Sequence, residues 1–244
     1  MKLWIVLPAY NEEEALPLLL NSLIENLNDD GKKFSIIVVN DGSKDKTGEI
    51  AESFSKNFPV IAMHNDGNKG LSDTIRNGLK EAAHLAGPQD IIITMDADNT
   101  HPAGLALRMT RLIREGNDVV IASRYQKGAH VRGLSFYRKF LSYGASWLFK
   151  IVFPIRGVHD YTCGYRAYRA SVMKRLIEKR GNEFVSTRGF SCMVDILLQL
   201  REEDLVFTEV PLVLRYDLKP GASKMNVMST VMETLGLLFR RRFL

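Results

Sequence analysis

Short apolar runs alternate with segments of helical period through the first half of the chain. Residues 3–7 are apolar throughout and stop at Pro8, which predicts a first strand. From Glu12 to about Leu27, Ala15, Leu16, Leu19, Leu20, Leu23 and Ile24 fall at the spacing of one helix face. Residues 35–39 predict a second strand. Asp41-Gly42-Ser43 follows as a turn, and Asp45 stands ready to cap a helix from Thr47. Residues 60–63, 91–95 and 119–122 predict further strands, interleaved with helices over 71–86 and 103–115. Strands alternating with helices predict an α/β fold whose mostly parallel sheet is covered on both faces. The second half is less regular, with helices near 134–152, 168–179 and 191–203 and a strand near 205–214.

In such sheets the loops at the carboxyl edge build the ligand site. Here each predicted strand hands over to a polar loop: Ala9-Tyr10-Asn11-Glu12, Asn40-Asp41-Gly42-Ser43, Met95-Asp96-Ala97-Asp98 and Ser123-Arg124-Tyr125. Any one of these reads as a cap or a turn; the recurrence points to a shared ligand. The stretch Met95 to Pro102, MDADNTHP, carries the most information. Asp96 and Asp98 stand one residue apart, so on extended backbone they lean to the same side. Two carboxylates so close call for a positive charge between them, and a hard divalent cation that also grips phosphate oxygens fills that need.

Composition narrows the field. A chain of 244 residues, 45% hydrophobic and 25% charged, suits one α/β domain with a substantial core. The net charge of +5 favours an anionic substrate or an acidic surface without choosing between them. The basic residues are dispersed and no recognised nucleic-acid module occurs, so nucleic acid is not an expected partner. Cys163 and Cys192 have no metal-ligand spacing and suit a reducing compartment. No leader-like segment opens the sequence, and no apolar run reaches the ~20 residues of a membrane-spanning helix. A cytoplasmic protein that touches a membrane surface is expected. Neither GxGxxG after the first strand nor GxxxxGK[ST] is present, which argues against an ordinary dinucleotide fold and a phosphate-loop nucleotidase.

Taken in order, PAYNEE at 8–13, VNDGSKDKT at 39–47, GNKGLSDTIRNGL at 67–79, MDADNTHP at 95–102 and SRY at 123–125 resemble the family-2 glycosyltransferases of GT-A fold. YTCGYRAY at 161–168 and EVPLVLRYDLKPGASKM at 209–225 extend the resemblance to the branch of polyprenyl-phosphate glycosyltransferases such as dolichol-phosphate mannosyltransferase. It implies that Pro8, Tyr10, Glu12, Asp41, Asp96 and Ala97 contact a nucleotide-diphosphate sugar, GDP- or UDP-linked. It makes Asp98 the principal ligand of Mg²⁺ or Mn²⁺, with Asp96 beside it. Thr100 stands where the branch carries a polar metal neighbour, while His101 is expected to be structural. Asp160 and Gly164 match a D-x-x-x-G within a segment, 156–164, expected to be a mobile active-site loop.

The same resemblance places Arg124, Arg138 and Ser142 on the acceptor phosphate. Arg138 and Ser142 are four apart, so one helical face presents both. Arginine's planar fork suits phosphate. Asp195 matches an acid of the branch, and is expected to serve as base for a hydroxyl acceptor or to orient the acceptor or a basic neighbour. In the last motif Ser223 and Lys224 match, but Leu218 replaces the expected arginine, leaving Arg215 and Lys219 flanking the gap as candidates for diphosphate or acceptor.

Leu134, Tyr137, Leu141, Leu148, Val152 and Ile155 approximate an apolar stripe on a basic, aromatic helix, which suits a membrane interface or the domain core. The organisation expected is a catalytic domain over 1–226 and a C-terminal amphipathic, basic helix over 227–244. That helix meets the membrane surface, a membrane-protein partner or a second copy. The expected activity is inverting, metal-dependent transfer of a hexose, mannose or glucose, to polyprenyl phosphate. Two other readings are a hydroxyl acceptor on a saccharide or glycolipid, and a non-catalytic protein that binds nucleotide sugars.

Overall fold

A computed structural model of the chain describes residues 1–133, 136–187, 189–219, 233, 236–239 and 241, with the side chains of 136–142, 145 and 190 outside that description. The first half folds as β1 (Leu3–Ala9), α1 (Ala15–Asp29), β2 (Phe34–Asn40), α2 (Thr47–Asn57), β3 (Val60–His64), α3 (Leu71–Leu85), β4 (Ile91–Thr94), α4 (Leu105–Arg114) and β5 (Val119–Ser123). The second half adds β6 (His130–Arg132), α5 (Phe136–Val152), β7 (Arg166–Arg169), α6 (Ala170–Arg180), α7 (Cys192–Leu200), β8 (Phe207–Pro211) and β9 (Val213–Arg215). The main sheet runs β3-β2-β1-β4-β7-β5-β8, and β6 pairs with β9 in a small second sheet. All pairings in the main sheet are parallel except those of β7, which is antiparallel to β4 and β5. This is an α/β fold with a mostly parallel sheet flanked by helices.

The central strands β1, β2, β4 and β5 are near-continuous apolar runs because helices cover them on both faces. α1 buries Ala15, Leu16, Leu19, Leu20, Leu23 and Ile24, the stripe predicted from spacing, and Leu27 with them. α3 lies so close to the sheet that a Cβ at Gly78 would sit 2.4 Å from Val6 Cγ1. That approach brings the amino end of α3 to the carboxyl edge of β1.

Several expectations shift. α1 starts at Ala15 rather than Glu12, because Asn11 takes φ 52 and the Glu12 N–H donates to Thr47 Oγ1. The predicted strand over 205–214 is two strands. Pro211 cannot donate to a ladder, and the chain passes from the main sheet at β8 to the small sheet at β9. Residues 166–169, partly assigned to a helix from 168, form β7, and β6 lies where no element was predicted.

On α5 the predicted stripe is described only at its end: Leu134 lies outside the described residues, as do the side chains of Tyr137 and Leu141, while Val152 and, just past the helix, Ile155 pack on the core. Ser146 and Phe149 are buried and Leu148 is only half-buried, while Tyr143, Trp147 and Ile151 are 59%, 60% and 57% exposed. The helix therefore packs one face on the core and leaves an aromatic-aliphatic row outside. Among the described residues no helix is long and apolar enough to cross a membrane.

Candidate active site

The carboxyl ends of β1, β2 and β4 open into a cavity of about 260 Å³. Pro8, Ala9, Tyr10 and Glu12 enter it from β1 and the loop that follows, Asp41 follows β2, and Asp96, Ala97 and Asp98 follow β4. Gly70, Leu71 and Thr74 contribute from the start of α3, and Tyr216 and Lys219 from the segment after β9. Every residue expected on the nucleotide sugar before position 100 lines this one cavity.

The first two loops hold each other. The Asn11 N–H donates to Ser43 Oγ at 2.9 Å, and the Lys44 N–H donates to Asn11 Oδ1 at 2.8 Å. The Lys46 N–H reaches Glu13 Oε2, and the Glu13 N–H reaches Asp45 Oδ2. Asp45 also accepts the Thr47 N–H at the start of α2, the capping role its position suggested. Asp41 is more than a ligand candidate. Its carboxylate accepts the N–H groups of Lys69 and Gly70, at 2.8 and 2.9 Å, and the Asn65 amide at 2.8 Å. It thus shapes the loop that carries the cavity wall into α3. Gly42 permits the approach: it has φ 65, and a Cβ there would lie 2.4 Å from the Gly67 carbonyl carbon.

The two acids on the cavity floor differ. Burial raises the Asp96 pKa, and the neighbouring Asp98 charge adds to the rise against His101, Lys219 and Arg124. Burial also works against the charge on Asp98. There His101 and Lys219 prevail, with hydrogen bonds from Lys219 and Thr100, and the carboxyl is held below its usual value. Lys219 Nζ lies 2.7 Å from Asp98 Oδ2, while the Thr100 hydroxyl and N–H both donate to Oδ1, at 2.7 and 3.2 Å. His101 is buried; its Nδ1 accepts the Asp96 N–H at 3.4 Å, and its ring packs 5.1 Å from that of Tyr165.

Two carboxylates and a hydroxyl form an all-oxygen donor set, which fits Mg²⁺ or Mn²⁺. The like-charge strain on Asp96 and the ammonium drawn to Asp98 show that the floor attracts positive charge. Among the described residues no three His, Cys, Asp or Glu side chains gather as a metal group.

The residues expected on the acceptor side have other partners. Arg124 faces Asp160 through two parallel bonds, Nε to Oδ2 at 2.8 Å and Nη2 to Oδ1 at 2.6 Å, and Nη2 also reaches Thr162 Oγ1. Burial would lower the Arg124 pKa, but Asp160 overrides it and the group is held firmly charged. Glu209 accepts the N–H groups of His159 and Asp160, and the Tyr161 hydroxyl bridges Phe153 O and the Ile155 N–H. The segment expected to be mobile is tied down at these points. Glu209 of β8 holds its backbone, and its own Asp160 and Tyr161 side chains tie it to Arg124 and Phe153.

Arg138 and Ser142 lie on α5, their side chains outside the described set, and Lys224 lies outside the described residues. Arg215 does not line the cavity. Its guanidinium is half-exposed and pairs with Asp217 at 2.8–3.1 Å, while Lys219 takes the cavity position. Asp195 is fully buried on α7. Its Oδ2 accepts the Ser186 N–H and hydroxyl, at 2.7 and 2.8 Å, and its Oδ1 accepts Arg241 Nη2 at 2.5 Å. Asn68, Thr74 and Tyr216 also line the cavity, and no separate sequence signal had marked them.

Fold and floor together define a GT-A glycosyltransferase domain, a nucleotide-sugar fold with an acidic pair after β4. The model of the glycosyl transferase family 2 matches residues 4–177, and the chain belongs to that family. It is 34% identical over 241 residues to a dolichol-phosphate mannosyltransferase of Pyrococcus furiosus, covering 98% of this chain and 63% of that protein. A polyprenol monophosphomannose synthase of Mycolicibacterium smegmatis is 31% identical over 231 residues, covering 91% of this chain and 80% of that one. The fold is shared with glucosyl-3-phosphoglycerate synthase from Mycobacterium tuberculosis, solved with Mn²⁺, uridine diphosphate and phosphoglyceric acid. That match has a TM-score of 0.67 at 18% identity and covers all of this chain and 79% of that one.

Proposed function

We propose that this chain transfers a hexose, mannose or glucose, from a GDP- or UDP-linked donor to a polyprenyl phosphate, with inversion at the anomeric carbon. The observation that carries the reading is the cavity floor, where Asp96 and Asp98 meet the loops of β1 and β2 in a chain similar along almost its whole length to polyprenyl-phosphate mannosyltransferases. The nucleotide would lie against Pro8, Tyr10, Glu12 and Asp41, with its diphosphate toward Asp98 and Lys219. Mg²⁺ or Mn²⁺, held by Asp98 and Asp96, would offset charge developing on the leaving diphosphate. An acceptor phosphate oxygen forms the new bond to the anomeric carbon as the bond to the diphosphate oxygen breaks. Such a phosphate has a second pKa near ~6 and is largely dianionic at neutral pH, so it needs no strong base.

Asp195 fits that economy. Its oxygens are taken by Ser186 and Arg241, which favours a positioning role over proton abstraction from a hydroxyl acceptor. Arg124, locked charged by Asp160, would present its remaining nitrogen to the acceptor beside Arg138 and Ser142 of α5. The exposed row Tyr143, Trp147 and Ile151, on the same helix and with Lys150 exposed beside it, suits the interface of a membrane that holds the lipid. Residues 1–226 then act as the catalytic unit, peripheral at the cytoplasmic face of a membrane, with 227–244 as a further surface contact to lipid, a membrane protein or a second copy.

The test is transfer from a panel of labelled nucleotide sugars to a short polyprenyl phosphate, with Mg²⁺ or Mn²⁺ and with chelator. Label entering the lipid fraction and lost on chelation is the expected result and names the sugar. Donor binding with no labelled lipid would sink the acceptor assignment.

A further inference from the structure

Lys219 stands 121 residues from Asp98 in sequence, yet its ammonium lies 2.7 Å from Asp98 Oδ2, and each side chain is only 10% exposed. The other Asp98 oxygen is held by Thr100. The acid expected to bind metal thus already has a cation on one oxygen. An ammonium and a divalent ion compete for that oxygen: both draw on its lone pairs, and their charges repel. Lysine is able to yield, because its point charge rides on a flexible four-carbon stem. It also lines the cavity, with Tyr216 beside it and the Glu12 charge within electrostatic reach.

We propose that Lys219 is a resident counter-cation of Asp98, which competes with the divalent metal and turns to the donor's diphosphate when displaced. The proposal rests on the reading of Asp98 as metal ligand. Before donor binding, Lys219 keeps two neighbouring carboxylates from facing each other without relief. Metal entering alone must break the Lys219–Asp98 pair. Metal entering with a nucleoside diphosphate gives the ammonium a new anionic partner, so the two bind cooperatively, and by linkage each favours the other.

Mn²⁺ binding to the full chain without nucleotide, read from the electron paramagnetic resonance of free Mn²⁺, tests this directly. If the pair is formed about nine-tenths of the time, Lys219→Met tightens Mn²⁺ binding about tenfold, since the binding-competent fraction rises to one. Lys219→Gln should do the same, and Lys219→Arg should keep wild-type affinity. Equal or weaker Mn²⁺ binding in folded Lys219→Met and Lys219→Gln overturns the proposal. Asp98→Asn separates the two levels of inference. Loss of Mn²⁺ binding in Asp98→Asn with no gain in the Lys219 variants removes only the competition, whereas wild-type Mn²⁺ binding in Asp98→Asn removes the metal assignment and the proposal with it. A second readout is the factor by which UDP or GDP tightens Mn²⁺. It should be larger in the wild type than in Lys219→Met, and equal factors would overturn the handover to diphosphate.

Discussion

The two sides of the sheet are built by different means. On the β1–β4 side, apolar strands carry the loops, and apart from the Asp98–Lys219 pair on the cavity floor the loops are fixed by neutral or singly charged hydrogen bonds between neighbours such as Asn11, Ser43 and Lys44. On the β5–β8 side, buried ions do the fixing. Asp160 holds Arg124, Glu209 holds the backbone of 159–160, and Asp195 holds Arg241. Arg166, in β7, is fully buried with its guanidinium donating to the carbonyls of Met193 and Tyr161. Packing of apolar residues tolerates modest change, whereas a buried ion stripped of its partner is costly. The donor side should therefore lose chemistry before it loses fold, and the acceptor side should lose both together.

Asp98→Asn gives the largest effect on chemistry. Under the proposed function, transfer to lipid should fall by about 10³-fold, the scale for removing a preorganised charge-stabilising group. The thermal midpoint should shift less than in Asp160→Asn, because the flexible Lys219 stem can carry its ammonium out to water. A variant that stays active would break the comparison at its donor end.

Asp160→Asn should strike stability and activity together. Arg124 would stay buried without its carboxylate, at a cost of about 3–5 kcal/mol in urea unfolding at neutral pH. The pH dependence has a definite sign. Burial would raise the Asp160 pKa, but the facing Arg124 charge and its hydrogen bonds hold it below its ordinary 3.8. A depressed carboxyl stabilises the fold fully above its unfolded value, and the stabilisation is lost as pH falls below 3.8 through the folded value. Wild type should lose stability over that acid range more steeply than Asp160→Asn. Equal slopes would place the buried charge elsewhere.

The same contrast governs what the sequence disclosed. Apolar runs and helix periods found the elements of the first half, because each run is local and its burial follows from its composition. The loops at the strand ends placed Pro8, Tyr10, Glu12, Asp41, Asp96 and Asp98 in one cavity. β7 was hidden because Arg-Ala-Tyr-Arg reads as polar, although Arg166, Ala167 and Tyr168 are all buried. Its arginine donates from Nη1 and Nη2 to carbonyls that only the folded chain brings near. The Lys219–Asp98 pair was invisible, since no periodicity links residues so far apart; the gap at Leu218 marked Lys219 as a candidate beside Arg215, but not its partner.

Gly42→Ala probes the donor side more gently. The new methyl would strain a left-handed backbone and press on the Gly67 carbonyl carbon, within the loop that Asp41 organises. A loss of about 1–3 kcal/mol in urea unfolding, the range for overpacking, should accompany a raised donor KM. An unchanged donor KM would mean that the 65–70 loop is not part of the nucleotide site.

The smallest expected effect is a silence on the acceptor side. Cys163 and Cys192 are free and buried, and burial pushes each thiol up to about 12. For Cys163 the Asp160 charge adds to the rise against Arg124, and for Cys192 the Asp195 charge does so against Ser72 and Arg166. Only the thiolate reacts, so at pH 8 neither sulfur should take up a disulfide reagent while the chain is folded. Both should react on unfolding. In Asp160→Asn, opening of the 160–164 segment would expose Cys163 ahead of Cys192, and the order of labelling would show whether the buried ion pair fails locally or takes the whole domain with it.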